Sequence, residues 1–240
     1  MSRAKRKQRE FDRSFKEKFG EERKPEPIVP QTENQRVYIQ NLKNMMVNIS
    51  LGSSGSGKTF CPSALAADLY REHKIEKIIV ARPYVQTGRS SGAKPGSSLE
   101  KLRPYVRSML DTMRKRMGDG PFSVALRDGQ SGDIEVCEIE SIRGRSFDEN
   151  SWLIIDEAQQ TTKDEMIAII TRISDNCRLT VCGDPHQKDI RGESGLEWLL
   201  KFVRRHNLEV GVVEFTSDDI VRGDFVKSVV KGLEIDGEFN

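Results

Sequence analysis

The chain has 240 residues, of which 36% are hydrophobic and 32% are charged. This composition is typical of a charged globular protein of one large or two small domains and excludes a protein built mainly of membrane spans. No apolar run reaches the roughly 18 residues of a membrane span, and no apolar stretch follows the basic first residues as it would in a secretory signal. We therefore expect a cytoplasmic protein with no membrane partner.

The net charge of +2 is unevenly distributed along the chain. Residues 1–24 hold ten basic and five acidic residues and carry +5, so the other 216 residues carry −3. Three prolines follow by residue 30 and interrupt any helix, because proline has no amide donor. Residues 1–30 are predicted to be a flexible basic arm, and residues 31–240 a single domain. The arm either neutralises phosphates on a nucleic acid or is only a solubilising terminus or a loosely held helix.

Four cysteines lie far apart or within apolar strand patterns, and no pair has the spacing of a zinc site. They are predicted to be buried free thiols: Cys61, Cys137, Cys177 and Cys182.

Beyond residue 31, strand and helix patterns alternate along the chain. Helices are predicted over 33–44, 58–73, 97–117, 163–174, 193–206 and 217–232, and strands over 47–51, 77–82, 152–156, 179–183 and 210–215. This alternation requires crossover connections and predicts an α/β fold, a parallel sheet with helices on both faces. Segments 121–127 and 133–140 flank a glycine-containing loop and are predicted to form a β-hairpin insertion.

The strongest motif follows the first strand and matches GxxxxGK[ST]; its residues are Gly52, Ser53, Ser54, Gly55, Ser56, Gly57, Lys58 and Thr59. The glycines allow backbone amides to surround a β-phosphate, and the helix N-terminus favours negative charge. Lys58 is predicted to bind the β- and γ-phosphates and Thr59 to bind Mg²⁺, so ATP and Mg²⁺ are the expected ligands. Pro62 lies in the first turn of the next helix, where its ring is expected to crowd the Lys58 carbonyl and distort the loop.

A second motif is an apolar strand that ends in two adjacent carboxylates. It is predicted to emerge beside the loop formed by residues 52–59, the phosphate loop. Because side chains alternate along a strand, Asp156 is predicted to face Mg²⁺ and Glu157 to orient and deprotonate the attacking water. After the next strand, Gln187 is a candidate contact of the γ-phosphate or its attacking water. Gly-Asp-Pro at 183–185 is also an ordinary turn sequence, so that alternative stays open.

In order and spacing, these residues resemble the PhoH-like protein family from about residue 35 to about residue 231. Besides the phosphate loop, the resemblance rests on Gln35, Ala81-Arg82-Pro83, Lys94-Pro95-Gly96, Glu100-Lys101, Pro104-Tyr105, Arg143-Gly144-Arg145, Asp156-Glu157-Ala158-Gln159, Gly183-Asp184-Pro185-His186-Gln187, Ser194-Gly195-Leu196 and Asp219-Ile220-Val221-Arg222. It implies one RecA-like P-loop ATPase domain akin to the first motor domain of superfamily-one helicases. Members occur in bacteria and their phages, and the compact chain fits a phage-borne form.

The resemblance also implies roles for individual residues. Gln35 would contact adenine, and Gln159 and Gln187 would couple nucleotide state to the domain. Arg82 would lie near a nucleic-acid or subunit face, and the chains would assemble into rings, commonly hexamers.

A single RecA-like domain covers the nucleotide on one side only, so an arginine from another subunit is expected to complete the site. Each candidate is otherwise an ordinary surface arginine or ion-pair partner. The candidates for this arginine finger, or for a nucleic-acid contact, are Arg82, Arg143, Arg145, Arg191 and Arg222.

The leading hypothesis is an oligomeric ATPase that couples Mg-ATP hydrolysis to binding or remodelling of RNA or single-stranded nucleic acid. One alternative is a nucleotide-binding switch or scaffold with little turnover, which Pro62 and the departure from the family pattern at residues 92–96 favour. Another is a small-molecule kinase, against which the water-activating Glu157 and the sensor Gln187 argue.

Overall fold

The computed structural model describes residues 25–83, 98–126, 132–142, 145–148 and 150–237. The predicted alternation of strands and helices is confirmed. The helices are α1 (Glu33–Asn44), α2 (Phe60–Arg71), α3 (Ser98–Met117), α4 (Asp119–Ala125), α5 (Lys163–Ile170), α6 (Gly195–His206) and α7 (Asp224–Asp236). The strands are β1 (Val47–Leu51), β2 (Lys77–Arg82), β3 (Ile134–Glu138), β4 (Ser151–Ile155), β5 (Arg178–Gly183) and β6 (Gly211–Glu214).

Several sequence-based expectations fall outside the described residues. These are the basic arm at 1–24, the stretch 92–96, Arg143, and most of the glycine-containing loop at 128–132. The described end of the predicted arm lies against the domain. The Glu26 carbonyl accepts a hydrogen bond of 2.8 Å from Arg116, and Ile28 packs against the core.

The six strands form one parallel sheet in the order β3-β2-β4-β5-β1-β6. In the central register, Ile49 of β1 lies between Val181 of β5 and Val212 of β6. Strand β4, which precedes Asp156, is predicted to emerge beside the phosphate loop, and Asp156 does line one cavity with Lys58 and Thr59. Strand β5 lies between β4 and β1, so the two halves of the site face each other across the end of a third strand.

Apolar side chains pack on both faces of the sheet, as its nearly continuous strand burial requires. One core joins the sheet to α1–α4 and includes Tyr38, Leu42 and Trp152. The other joins it to α5 and α6 and includes Ile49 and Leu153. All four cysteines are buried, as predicted.

The predicted β-hairpin is wrong. Most of its first segment forms α4, which buries Phe122 and Ala125 three residues apart on one side of the helix. Its second segment contains β3, which is parallel to β2 and buries four successive residues instead of alternate ones. A parallel neighbour needs a crossover connection, and α3 and α4 lie within that connection.

Capping side chains set two helix starts on the second face. In α5, the Thr162 hydroxyl accepts from the Glu165 amide while the Glu165 carboxylate accepts from the Thr162 amide. Ser194 and Glu197 form the same reciprocal pair at α6. Helix α7 begins at Asp224, later than predicted, because Ser217–Asp219 forms a separate 3₁₀ turn. Among the described helices, none combines the length and apolarity needed to cross a bilayer.

The start of α6 generates a stability prediction. A Cβ at Gly195 would lie 2.5 Å from Thr161 Oγ1 and 2.6 Å from the Thr162 carbonyl oxygen. Because that carbonyl belongs to the backbone, we expect Gly195→Ala to lower the free energy of unfolding by about 1–3 kcal/mol in urea titrations. Gly232→Ala is the matched control, since a Cβ there meets nothing within 4 Å and alanine favours a helix. Equal effects of the two substitutions would contradict the packing argument.

Candidate nucleotide site

The motif residues that follow β1, β4 and β5 line one cavity of about 520 Å³. All three segments open at the carboxyl edge of the parallel sheet, which is where ligands bind in open α/β folds. The predicted site residues that line the cavity are Gln35, Ser54, Gly55, Gly57, Lys58, Thr59, Arg82, Asp156, Glu157, Gln187 and Arg222.

The shape of the phosphate loop is set by three of its residues that do not line the cavity. Gly52 has φ +125°, and a Cβ there would lie 2.3 Å from the Phe215 carbonyl oxygen, so the loop packs directly on the chain after β6. Ser56 is buried, and its hydroxyl donates to the Ser53 carbonyl at 3.0 Å. Gly52, Ser53 and Ser56 therefore shape the loop without lining the cavity.

Lys58 and Thr59 present the groups that suit a nucleotide. Lys58 Nζ donates to the Ser53 carbonyl at 2.7 Å, and burial lowers the pKa of this ammonium, against the opposing effect of nearby acidic groups. Thr59 precedes α2, but its hydroxyl makes no capping hydrogen bond to the helix. An ammonium and a hydroxyl thus stand at the cavity wall, beside the N-terminus of a helix.

The predicted distortion by Pro62 is absent. The helical hydrogen bonds on either side of it are formed, from the Cys61 amide to the Gly57 carbonyl at 3.0 Å and from the Ser63 amide to the Thr59 carbonyl at 3.3 Å. Pro62 is the third residue of α2, early enough in the helix for its ring to be accommodated.

Asp156 and Glu157 lie on the opposite wall and both contact Arg82. Arg82 Nη1 lies 2.7 Å from Asp156 Oδ2, and Nη2 lies 3.5 Å from Glu157 Oε1. Burial raises the pKa of Asp156 to about 6, although the charge of Arg82 opposes this shift. Arg82 is 20% exposed and lines the cavity.

Buried Gln159 connects the turn after β4 to the turn after β5. Its amide nitrogen donates to the Glu157 carboxylate, and its amide oxygen accepts from the Asp184 amide at 3.1 Å. Gln187 Nε2 in turn donates to Asp184 Oδ2 at 2.9 Å. The sequence reasoning gave Asp184 no role, although its place between Gly183 and Pro185 after an apolar strand was a signal.

Gln35 reaches the phosphate loop from α1. Its Nε2 donates to the Ser56 carbonyl at 2.9 Å, and its Oε1 accepts from the Gln31 amide at 2.9 Å. The side chain is 6% exposed and lines the cavity. It therefore connects the segment before α1 to the phosphate loop.

The candidate arginines separate into different environments. Arg222 lies over Gly55, with Nη2 3.4 Å from Ser54 Oγ, and it lines the cavity. Arg145 makes a two-pronged ion pair with Glu135 of β3, away from the cavity lining. Arg191 is exposed and is not among the lining residues of this cavity.

The oxygen donors in the cavity fit Mg²⁺. Thr59 and Asp156 both line it, and Mg²⁺ is usually held by one or two such side chains together with substrate phosphates and water. Within the described part of the chain, no cluster of three or more His, Cys, Asp or Glu side chains is arranged to hold a metal ion. A site shared with phosphate is therefore the arrangement that these residues suit.

Comparison with solved structures relates the fold to phage proteins. The large terminase of a thermophilic bacteriophage superposes with a TM-score of 0.56 at 15% identity, covering 85% of this chain and 50% of the terminase. The ADP complex of that terminase gives a TM-score of 0.55. The shared architecture is a RecA-like α/β fold, a parallel sheet with helices on both faces.

Comparison of sequences identifies the family. Protein PhoH of Escherichia coli (strain K12) is 34% identical over 198 residues, which cover 82% of this chain and 55% of that protein. The PhoH-like protein of Bacillus subtilis (strain 168) is 29% identical over 226 residues, 93% of this chain and 69% of that protein. The chain thus spans little more than half of the Escherichia coli relative. A family model described as PhoH-like protein matches residues 27–234, and the chain belongs to that family.

Proposed function

We propose that this chain is a Mg²⁺-dependent ATPase that couples hydrolysis to binding of RNA or single-stranded nucleic acid and works as an oligomer. The observation that carries the proposal is the cavity in which Lys58, Thr59 and Glu157 meet. The phage terminase, which shares the fold, has been solved with ADP and with ATP-γ-S, which supports a nucleotide as the ligand.

The side chains divide the chemistry between two walls. Lys58 and the loop amides would bind the phosphates, and Thr59 and Asp156 would hold Mg²⁺. When bound, Mg²⁺ neutralises charge on the phosphate oxygens. The Glu157 carboxylate accepts a hydrogen bond from Gln159 and would accept a proton from an attacking water.

An aromatic ring of α3 that contacts an arginine of β2 supports nucleic acid as the partner. Tyr105 of α3 is 38% exposed. Arg82 lies over the Tyr105 ring at 5.3 Å from its centre, and both residues line the nucleotide cavity. Aromatic rings with nearby cations bind single strands by stacking and charge. A nucleic-acid strand stacked on Tyr105 would therefore be separated from Asp156 by the side chain of Arg82 alone.

Steady-state phosphate release, measured with and without RNA, tests the proposal. We expect RNA to stimulate the wild type and Glu157→Gln to lower kcat by at least about 100-fold while Mg-ATP binding remains, because the substitution removes the base. Lys58→Ala is expected to weaken binding itself. If the wild type binds ATP but releases phosphate no faster than either variant, the ATPase is excluded and the nucleotide-binding switch is retained.

Two candidate arginines give opposite predictions. The Glu135 side chain is 2% exposed and is paired with Arg145 and Lys77, so Arg145→Ala should cost about 1–3 kcal/mol of unfolding free energy without changing ATPase activity per folded molecule. Arg222→Ala should weaken Mg-ATP binding with little effect on stability, because Arg222 is exposed beside the loop. Denaturant titration and ATP-binding calorimetry measure both effects. Loss of activity in stably folded Arg145→Ala would assign the finger to Arg145.

A further inference from the structure

Pro62 leaves one carbonyl of the phosphate loop without its helical donor. In an α-helix the amide of residue 62 would donate to the carbonyl of Lys58, but proline has no N–H. The preceding and following helical bonds are both present, at 3.0 and 3.3 Å. The missing hydrogen bond therefore affects only the carbonyl of Lys58, the residue whose ammonium would bind the phosphates.

Two buried side chains from other elements lie within hydrogen-bonding distance of the Lys58 carbonyl, where the missing amide would be. Tyr38 of α1 places its hydroxyl oxygen 3.0 Å from the Lys58 carbonyl oxygen, and Cys182 of β5 places Sγ 3.3 Å from it. The Tyr38 hydroxyl oxygen also lies 3.1 Å from Ser50 Oγ. The Tyr38 ring meets Phe215 edge to face, with 5.5 Å between ring centres. These contacts fix the hydroxyl in place.

Both side chains carry the proton that a donor needs. Burial raises the pKa of Tyr38 well above its ordinary value and that of Cys182 to about 12. Near neutral pH both therefore remain protonated. The hydroxyl is the stronger donor of the two, because a thiol forms only weak hydrogen bonds.

We propose that Tyr38 is a positioning residue whose hydroxyl takes the place of the amide missing at Pro62 and so holds Lys58 in position for the phosphates. Gln35, one turn earlier in α1, bonds to the Ser56 carbonyl, so one helix face supports two carbonyls of the loop. The inference rests on the proposed function, because it assigns Tyr38 to the same Mg-ATP site.

A double-mutant cycle of Tyr38→Phe and Pro62→Ala tests this assignment, with the Kd for Mg-ATP measured by calorimetry. Tyr38→Phe alone should raise Kd and KM about five- to tenfold, the effect of one hydrogen bond, and leave kcat within about twofold. Pro62→Ala restores an amide, so in that background Tyr38→Phe should change Kd by less than about twofold. Tyr70→Phe is the matched control, because Tyr70 lies on the same helix as Pro62 and donates to Asp133 outside the cavity.

The outcomes separate this inference from the proposed function. If the wild type binds Mg-ATP and Tyr38→Phe has the same effect in both backgrounds, the positioning role of Tyr38 is overturned. If the wild type does not bind Mg-ATP, the proposed function fails instead. The same double-mutant cycle, measured by thermal unfolding without ligand, then tests whether the Tyr38 hydroxyl replaces the missing amide. A smaller loss of stability from Tyr38→Phe in the Pro62→Ala background supports this role, and additive losses overturn it.

Discussion

The backbone carbonyls at the end of the phosphate loop need hydrogen-bond donors, and α2 alone does not provide all of them. Gln35 and Tyr38, one turn apart on α1, meet the carbonyls of Ser56 and Lys58. Their contacts depend on how α1 packs against the sheet. Tyr38 and Leu42 are fully buried in the core beneath the loop. The position of Lys58 thus depends on the packing of α1, a helix that lies outside the GxxxxGK[ST] motif.

The opposite wall is organised by charge. Asp156 is buried, and its pKa is raised to about 6 even though Arg82 contacts it. Glu157 has a left-handed backbone, φ 54° and ψ 42°, at the point where the chain leaves β4. Gln159 holds the Glu157 carboxylate and the Asp184 amide together. These hydrogen bonds connect the turn after β4, which carries Asp156 and Glu157, to the end of β5, the strand that lies between β4 and β1.

The sequence predicted features that depend on short segments. The alternation of strands and helices, the phosphate loop and the two carboxylates follow from local periodicity and spacing. The β-hairpin prediction was wrong because β3 is buried on both faces. A glycine-containing loop is also compatible with connections other than a hairpin. The partners of Arg145 and Tyr38 depend on packing between distant segments. For the same reason, the sequence identified Pro62 as unusual but did not reveal which side chain compensates for it.

The central claim is that nucleotide binds at the phosphate loop and that α1 supports this loop. Hydrogen–deuterium exchange with and without Mg-ATP tests it most directly, because it reports on both segments in one experiment. Bound nucleotide should slow amide exchange in residues 52–60 and, through Gln35 and Tyr38, in residues 31–38 as well. Slowed exchange elsewhere in the chain, with residues 52–60 unchanged, would contradict the account.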